Sequence, residues 1–397
     1  MMKPNVYSDV SRMTDVIVSR PDKAMFHVTS ENFKEYLFDD LVDEQRAGGE
    51  HDVFTDLMRH CGINVHDVHQ LLISVLSGRN RTKAAKMILE GSGLTYCKRL
   101  KKVSAETLAE VLITGCLPDE DVPQIVPLCN LTFTRDSHFV IGNRVFIANP
   151  KHNVRKREAL IYRAIYTFHD QFRQPNLTSM LGDDWSIEGG DVMILSREVA
   201  VIGGVHRTHS RAAEKLSEIL FHEMGFKAVF RVSFEVDGRD KMHLDTTFTM
   251  IDHGLCLVHA PVMLGRSAGV ETSVLRCNTH NEALMWDRVP TLLDGLKSVG
   301  LELEPVICGG EHPTRQNREQ WWDGCNTLAL APGVITIYDR CEATIRELEK
   351  AGFRVVNAAD VKSPEDLDGK MVILMPSNEL PKARGGWHCM AMSWWRD

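Results

Sequence analysis

The sequence predicts an α/β protein, in which short strands alternate with amphipathic helices along a chain of 397 residues. Three observations support this fold class. Short runs rich in valine and isoleucine, with apolar residues at every second position, are typical of strands. Longer stretches between them carry apolar residues at helical spacing, and glycine follows several of these stretches. One region, residues 70–117, contains helical patterns alone.

The N-terminal residues predict a strand, a helix and a second strand. Residues 15–21 form the first strand, because a run of valine and isoleucine ends at a proline, which cannot continue a strand ladder. In residues 39–60 apolar side chains recur at helical spacing, and Gly62 provides a stop signal. Residues 63–68 again have the pattern of a strand.

A helical insertion is predicted at residues 70–117. Successive groups of apolar residues at helical spacing occur there, and no convincing strand interrupts them. The acidic, proline-bearing stretch 117–128 returns the chain to the main unit. We therefore predict one α/β unit formed by residues 1–69 and 118–397, with an all-helical insertion between its two parts.

Hairpins and helices dominate the rest of the chain. Residues 139–141 and 145–147 flank a Gly-Asn pair, a strong signal for a tight turn between antiparallel strands. Residues 192–195 and 199–202 form a second predicted hairpin. The unit of two or three strands plus one helix recurs, which suggests internal symmetry, although no sequence repeat proves it. Helices are predicted at 155–172, 210–224 and 342–351, and further strands at 228–234, 247–251, 255–259 and 354–356.

Composition and charge restrict the class of protein. With 43% hydrophobic and 25% charged residues, the chain is typical of a soluble globular protein, and a net charge of −8 argues against a general nucleic-acid binder. No apolar run approaches the length of a membrane span, and the first residues lack the apolar core of a secretory signal. Ten cysteines without a Cys-x-x-Cys pair suggest neither a zinc ribbon nor a disulfide framework. We expect a reduced, cytoplasmic protein with no nucleic-acid or membrane partner.

Four short segments concentrate polar residues that could do chemistry. In the first, residues 130–136, a strand would place Asn130 and Asp136 on one face. Asp136 is then either a solvated strand end or a ligand for a cation, and the pattern alone favours neither. In the second, residues 187–191, Glu188 lies beside two glycines that allow close approach of the backbone. Taken alone, this segment is slightly better explained as a tight turn with exposed acids.

The third segment, residues 242–246, pairs a histidine with a carboxylate. On a strand, His243 and Asp245 point the same way, which suits proton transfer beside a bound cation. A metal site is the alternative, but no further histidines stand at suitable spacing. The fourth segment places Cys389 on a bend after two glycines. A cysteine of this kind is most often a buried, inert hydrophobe, and it becomes a nucleophile only when a base assists it or its pKa is lowered.

Together the four segments supply a nucleophile, a histidine and three acids, which is more acids than a protease needs. Glu188 would orient His243, and His243 would assist Cys389. The surplus carboxylates point to a cationic substrate, because Asp136 and Asp245 could each accept N–H groups of a planar guanidinium. That arrangement exposes the central carbon of the guanidinium to a thiolate.

In this order, the four segments resemble the arginine deiminase family of the guanidine-modifying enzyme superfamily, and the resemblance covers nearly the whole chain. Residues 16–21, 37–40 and 326–334 are also similar to segments of that family. The resemblance implies a five-bladed, pseudo-symmetric α/β propeller of the pentein type, with the active site at its centre. The helical insertion resembles that of arginine deiminases and is absent from dimethylarginine hydrolases and agmatine deiminases.

The resemblance also implies roles for the catalytic residues. Cys389 would attack the guanidinium carbon. His243 would protonate the departing ammonia and then activate water against the thiouronium intermediate, with Glu188 holding the imidazole. Asp136 and Asp245 would clamp the guanidinium.

For the rest of the substrate, the resemblance implies that Arg155 and Arg207 bind the α-carboxylate with help from Asn130, and that Phe133 walls the aliphatic part. Arg384 matches a family arginine that lies near the empty site and moves on binding. From the residues alone, Arg155 is better explained as a helix-surface charge, and Arg207 as a solvated side chain.

The expected activity is hydrolysis of L-arginine to L-citrulline and ammonia without metal or organic cofactor. The only expected partners are this small-molecule substrate and further copies of the chain, as a homo-oligomeric dimer or tetramer. Two departures from the family pattern concern the pocket: Trp387-His388 precede the nucleophile, and His206 and His209 flank Arg207. The alternatives are an amidinotransferase, a hydrolase of another guanidino compound, and a catalytically silent member of the family.

Overall fold

In the part of the chain that the structure describes, the strands form five separate sheets. The computed structural model of the chain describes residues 1–21, 23–182, 184–204, 206–234, 239–265, 269–277 and 284–397. Within these residues the fold is mixed α/β, as the sequence predicts. The strands are β1 (Met13–Val18), β2 (Asn64–Asp67), β3 (His138–Ile141), β4 (Arg144–Ile147), β5 (Thr178–Ser179), β6 (Val192–Ile194), β7 (Val199–Gly204), β8 (Ala228–Phe234), β9 (Phe248–Asp252), β10 (Leu255–Val258), β11 (Val270–Cys277), β12 (Leu284–Val289), β13 (Glu304–Ile307), β14 (Leu328–Ala331), β15 (Val334–Tyr338), β16 (Arg354–Asn357), β17 (Met371–Met375) and β18 (Met392–Arg396).

Helices connect many of these strands. In the part of the chain that the structure describes, none of the helices has the length and apolar character needed to cross a membrane. The α-helices are α1 (Glu44–His60), α2 (Val68–Ser77), α3 (Arg81–Leu89), α4 (Lys98–Lys102), α5 (Ala105–Thr114), α6 (Thr134–Ser137), α7 (Asn153–Phe168), α8 (Ser210–Met224), α9 (Ala260–Met263), α10 (Leu292–Ser298), α11 (Pro313–Trp321) and α12 (Glu342–Lys350).

One strand arrangement recurs in all five sheets. The antiparallel pairs β18–β1, β3–β4, β6–β7, β9–β10 and β14–β15 each gain a parallel strand beside the second member, namely β2, β5, β8, β13 and β17. Parallel strands need a crossover connection, and it includes α1, α7, α8, α10 or α12 in the respective units. The described residues therefore contain five β-β-α-β units.

Most elements outside the polar segments agree with the sequence prediction. The two predicted hairpins are confirmed as β3–β4 and β6–β7. Helix α8 has its predicted bounds and ends at Gly225, whose φ of 77° is the left-handed conformation that glycine tolerates best. Helix α1 begins later than predicted, because the side chain of Asp43 accepts hydrogen bonds from the backbone N–H groups of Gln45 and Arg46.

Two strand predictions in the polar segments are wrong. Residues 130–136 form turns and the short helix α6, and residues 244–246 form a turn of 3₁₀ helix. The buried polar side chains there bond to backbone groups of distant segments, so long-range contacts rather than local alternation determine the backbone conformation. For example, Asn130 Nδ2 donates to Tyr36 O at 2.8 Å, and Thr134 Oγ1 donates to Ile17 O at 3.3 Å.

The region between β2 and β3 is helical, and it is described without gaps. It contains α2, α3, α4, α5 and α6, and no strand is found in this fully described stretch. Helices α2 and α3 pack against α7, and Leu72 and Leu108 belong to the same buried apolar cluster as Val140 and Tyr162. The helices thus share a core with the β3–β4 unit, and the division into a unit and an insertion at 70–117 stays a prediction.

The C-terminal strand is tied into the fold. Strand β18 pairs with β1 in the register Val16 to Ser393. Trp394 is fully buried, and its ring stacks on Tyr166 with 5.6 Å between centroids. Strand β18 therefore fixes the end of the segment that carries Cys389.

A carboxylate on α1 fixes the other end of that segment. Glu50 is 7% exposed and accepts hydrogen bonds from the backbone N–H groups of Asn378 at 2.7 Å, Glu379 at 3.0 Å and Leu380 at 2.9 Å. These residues begin the turn that leads to Arg384.

We expect Glu50→Ala to lower the free energy of unfolding by about 3 kcal/mol, because it leaves several buried N–H groups without an acceptor. Denaturant unfolding measures this change. The matched control is Glu349→Ala, which removes an exposed carboxylate from α12 and should shift stability by less than about 0.5 kcal/mol. Equal stability of the two variants would contradict the anchoring role of Glu50.

Candidate active site

The four polar segments, and a fifth segment that contains Asn326, each lie immediately before the first strand of one β-β-α-β unit. Asp136 precedes β3, Glu188 precedes β6, Asp245 precedes β9, Asn326 precedes β14 and Cys389 precedes β18. Since the five units share one strand arrangement, their equivalent segments deliver side chains to a common place. Hydrogen bonds among these residues show that they meet.

Two glycines bring the nucleophile segment close to its neighbours. A Cβ on Gly385 would lie 2.3 Å from the ring of Phe133, and a Cβ on Gly386 would lie 2.6 Å from Asn326 O. Larger residues would push this turn away from the site. The turn places Cys389 in a buried position with 4% exposure.

Asn326 holds both the backbone and the thiol of Cys389. Its Nδ2 donates to Cys389 Sγ at 3.1 Å, and its Oδ1 accepts from Cys389 N at 3.0 Å. The sequence analysis missed Asn326 as a site residue. The available signal was its position at the start of the segment 326–334, directly before a predicted apolar run.

The thiol of Cys389 lies in a negative environment. Its Sγ is 3.3 Å from Asp245 Oδ2. Burial, followed by the charges of Asp245, Asp136 and Asp323, raises the pKa of Cys389 well above its ordinary value. The thiol is therefore protonated at neutral pH, and a positive charge at the site would be needed to stabilise the thiolate.

His243 contacts two of the predicted acids. Its Nε2 lies 2.7 Å from Glu188 Oε2, and its Nδ1 lies 3.8 Å from Asp136 Oδ1. Burial opposes the charged form, but the charge of Asp136 and the hydrogen bond to Glu188 outweigh it and raise the pKa of His243 to about 9. The imidazole is therefore cationic at neutral pH and can give up a proton.

Asp136 and Asp245 each bond through one carboxylate oxygen and leave the other oxygen without a donor in the described structure. Arg155 Nη1 donates to Asp136 Oδ2 at 2.5 Å, and His388 Nδ1 lies 2.9 Å from Asp245 Oδ2. The second oxygen of each carboxylate, Oδ1, is buried and accepts no hydrogen bond from the residues that the structure describes. Burial opposes ionisation of Asp245, yet the His388 hydrogen bond and nearby positive charges lower its pKa. Two carboxylates thus keep one acceptor oxygen each.

The predicted carboxylate-binding arginines are both buried, so the surface alternatives for Arg155 and Arg207 are wrong. Arg155 donates to Asp136, to Glu158 and to backbone carbonyls, which occupies its guanidinium. Arg207 Nη1 donates to Glu188 Oε2 at 3.1 Å, while its Nε has no hydrogen-bond partner among the described residues. Arg207 is therefore the better placed of the two to bind a further anion.

Two of the residues that depart from the family pattern, Trp387 and His209, do not line the cavity. Trp387 is buried against Phe54 and Tyr338, with ring centroids 4.6 Å and 5.0 Å away. His209 is exposed and caps α8 by accepting from Arg211 N at 3.2 Å. Neither side chain lines the site.

Arg384 lines the cavity, and two carboxylates and a tryptophan hold its guanidinium there. Its φ of 69° is left-handed, and its guanidinium lies 3.3 Å from carboxylate oxygens of Asp39 and Asp323 and stacks over Trp321 at 4.3 Å. Burial raises the pKa of Asp323 to about 7, so this carboxyl holds Arg384 more firmly as pH rises through that value.

The cavity is small in this state. It has a volume of about 10 Å³, which is room for roughly one water molecule. All of the predicted site residues except Glu188 and Asp245 line it, and those two contact lining residues directly. The residues that line it are Leu37, Asn130, Phe133, Asp136, Arg155, Arg207, Met242, His243, Thr246, Arg384, Gly385 and Cys389.

A metal ion is geometrically conceivable at one place. Ligand atoms of Asp136, Glu188 and His243 lie within 4.8 Å of one another. The imidazole and Glu188 already bond to each other at 2.7 Å, and Arg155 occupies Asp136. The metal-free site stays a prediction.

The chain matches the family model of arginine deiminase over residues 110–396. It is 31% identical to the arginine deiminase of Bacillus cytotoxicus, over 98% of this chain and 97% of the relative. The arginine deiminase of Listeria monocytogenes is 30% identical, over 98% of this chain and 96% of the relative. The chain belongs to the arginine deiminase family.

Solved structures share the fold of this arginine deiminase family member. It is similar to SxtG, an amidinotransferase of Microseira wollei, with a TM-score of 0.58 and 16% identity over 99% of this chain and 97% of that chain. The N-terminal domain of ArgZ, a cyanobacterial arginine dihydrolase, has a TM-score of 0.55 and 15% identity over 96% and 97%. The dimethylarginine dimethylaminohydrolase of Pseudomonas aeruginosa has a TM-score of 0.53 and 13% identity over 96% and 99%.

The environment of Cys389 predicts a slow reaction with alkylating agents in the free protein. At pH 7.5 we expect iodoacetamide to modify Cys97 at least about ten-fold faster than Cys389, because Cys97 is exposed and backbone hydrogen bonds lower its pKa. Peptide mass spectrometry over time measures both rates in one sample. Alkylation in denaturant, where the difference should vanish, is the control. Faster modification of Cys389 in the folded protein would contradict a protonated, closed thiol.

Proposed function

We propose that the protein is an arginine deiminase, a hydrolase that converts L-arginine and water to L-citrulline and ammonia. The observation that carries the proposal is the pair of buried, unpartnered oxygens on Asp136 and Asp245, beside Cys389 and His243. This arrangement fits a planar cation whose central carbon faces a thiol. Membership of the family supports L-arginine as the substrate.

The two aspartates would bind the guanidinium of the substrate. Arg155 and His388 hold one oxygen of each carboxylate, which fixes their orientation and leaves Oδ1 of each to accept substrate N–H groups. A guanidinium has five N–H donors in a rigid plane, so two carboxylates can orient it completely. Binding also removes the cost of two buried acceptors without donors.

The substrate would activate its own nucleophile. Carboxylates raise the pKa of Cys389, and the positive guanidinium between them would oppose that effect and favour the thiolate. Activation then occurs only when substrate is bound. When the site is empty, Cys389 would stay a protonated, less reactive thiol.

In the first half of the reaction, Cys389 Sγ would form a bond to the guanidinium carbon. The cationic His243 would donate its proton to one nitrogen, and the C–N bond would break to release ammonia and leave a thiouronium on the cysteine. A pKa of about 9 for His243 makes it the proton donor at neutral pH. Glu188 would keep the imidazole in place through the 2.7 Å hydrogen bond.

In the second half, the neutral His243 would take a proton from water, whose oxygen adds to the thiouronium carbon. As the C–S bond breaks, the proton of the added hydroxyl would pass to the sulfur. This step replaces the thiol proton that Cys389 lost to solvent when substrate bound, and it releases the ureido group of L-citrulline. The proton taken by His243 regenerates the starting state. No redox step or further co-reactant is needed.

Opening of the site would precede binding. The cavity holds roughly one water molecule, so Arg384 must leave Asp39 and Asp323 before the substrate enters. Arg207, with its unpartnered Nε, would bind the α-carboxylate, assisted by Arg155 if that side chain exchanges a partner. Asn130 and Phe133 line the same cavity. Asn130 would assist in binding the α-carboxylate, and Phe133 would contact the aliphatic part of the substrate.

We further propose that the five β-β-α-β units close into a five-bladed α/β propeller around this site. The recurrence of one strand arrangement and the convergence of the five pre-strand segments support it. The separate insertion at 70–117, a cytoplasmic location and assembly into dimers or tetramers are proposals that rest on the sequence alone.

The activity is tested by measuring citrulline and ammonia released from L-arginine, beside agmatine and methylated arginines. We expect equimolar products from L-arginine and little from the others. A protein that is silent on L-arginine but active on another guanidino compound would overturn the assignment of the substrate.

The fold shared with an amidinotransferase makes a second assay informative. Addition of glycine or ornithine should leave the citrulline yield unchanged, and formation of a guanidino derivative of either amine would identify a transferase.

Cys389→Ser should lower turnover by roughly a thousand-fold or more, because a serine hydroxyl at this position has no strong base to activate it. Binding of L-arginine, measured by calorimetry, should remain, since the carboxylates are unchanged. Cys97→Ser, at an exposed cysteine, should retain full activity. Normal turnover by Cys389→Ser would eliminate the covalent mechanism.

A further inference from the structure

A second cavity lies on the surface, between α11 and α12. Its volume is about 400 Å³, within the range of small-molecule sites. Four arginines line it, two from α11, one after β15 and one from α12. These residues are Arg315, Arg318, Arg340 and Arg346.

The two carboxylates that line this cavity already have bonding partners. Glu319 is buried and accepts from Ala343 N at 2.8 Å and Thr344 N at 2.7 Å, so it caps α12. Glu342 pairs with Arg346 at 3.0 Å. Glu319 is thus bound to the start of α12, and neither carboxylate forms an ion pair with the other three arginines in the described part of the chain.

The four arginines and two glutamates of the lining leave an excess of positive charge, and three of the arginines lack an ion pair in the described structure. Arg315, Arg318 and Arg340 have no ion pair among the residues that the structure describes. Like charges repel, and an anion between them would remove that repulsion. Guanidinium groups bind phosphoryl oxygens through paired N–H donors, which makes phosphoryl groups the best matched anions.

The arginines are held in place rather than dispersed in solvent. The guanidinium carbons of Arg318 and Arg340 lie 4.8 Å and 5.4 Å from the centroid of the Trp322 ring. Arg340 Nε also donates to Ser377 Oγ at 3.2 Å. Arg315 lies one helical turn before Arg318 on α11, so it adds its charge to the same face. This ordering lowers the entropy that binding would cost.

We propose that this cavity binds a small anion with two adjoining phosphoryl groups. Three unpaired guanidinium groups match the multiple charge of a diphosphate better than that of a single monovalent anion. The half-buried Trp322 provides an apolar wall beside the charges.

The position of the cavity links it to Arg384. Trp321 ends α11 next to Trp322, and the guanidinium of Arg384 stacks on the Trp321 ring and donates to its carbonyl oxygen. A diphosphate held by Arg318 and Arg340 would restrain the end of α11 and thus the residue that closes the active site. This link rests on the proposed function, whereas the binding site does not.

Calorimetric titration with inorganic pyrophosphate at about 50 mM salt tests the binding site, because weak screening preserves surface electrostatics. We expect one site per chain and at least about ten-fold weaker binding by Arg318→Gln/Arg340→Gln. Arg79→Gln, which removes an exposed arginine outside the cavity, is the matched control and should bind like the natural chain. Thermal unfolding of each variant establishes that it is folded.

Parallel titrations with ADP and sulfate identify the ligand. Tighter binding of ADP than of pyrophosphate would assign the site to a nucleotide, and the reverse to an inorganic diphosphate. No pyrophosphate binding, equal binding of sulfate, or unchanged binding by the double variant would overturn the proposal.

The link to Arg384 has its own readout. Pyrophosphate should change the KM for L-arginine in the natural chain but not in Arg318→Gln/Arg340→Gln. An unchanged KM despite measured binding would refute the link and leave the site intact. Failure of L-arginine turnover altogether would concern the proposed function, since the titrations do not depend on it.

Discussion

The pairing of buried carboxylates with N–H donors, some of them charged, is the interaction on which the site depends. Asp136 is held by Arg155, Glu188 by His243, and Asp245 by His388. A buried carboxylate without such a partner would be protonated or would destabilise the fold, because removal from water penalises its charged form. On Asp136 and Asp245 one oxygen still accepts no hydrogen bond among the described residues, and in the proposed function these two oxygens bind the substrate cation. The same residues would then serve both stability and substrate recognition.

The repeated β-β-α-β unit explains how residues far apart in the chain meet. Each unit presents the segment before its first strand at the same relative position, so five segments bring together one thiol, one imidazole and several acids. Tight turns suit these segments because their polar side chains satisfy backbone groups of other units, as Asp191 does for Leu244 N at 2.9 Å. The residues of these short turns can therefore differ, and the chemistry with them, while the strands and helices of the units stay the same.

The sequence predicts a segment well where local residue patterns determine its backbone conformation. It predicts a segment poorly where polar contacts with distant parts of the chain determine that conformation. Helix α8 and the hairpin β3–β4 follow from apolar spacing and turn residues, and were predicted well. Residues 130–136 and 244–246 were mistaken for strand, because their hydrogen-bond partners come from other units. The set of acids, histidine and cysteine was recognisable, whereas Asn326 was missed and the engagement of Arg155 was not foreseen. Such contacts depend on three-dimensional distances, which spacing along the chain does not encode.

The pairing of β18 with β1 has a consequence for how the protein is made. The N-terminal strand has β2 on one side, but its other edge is completed only by residues near position 393. During synthesis that edge stays open while nearly the whole chain is translated, and an unpaired edge can associate with other polypeptides. Since Cys389 lies just before β18, the step that covers this edge also positions the proposed nucleophile. One folding event thus protects the chain from association through β1 and completes the candidate active site.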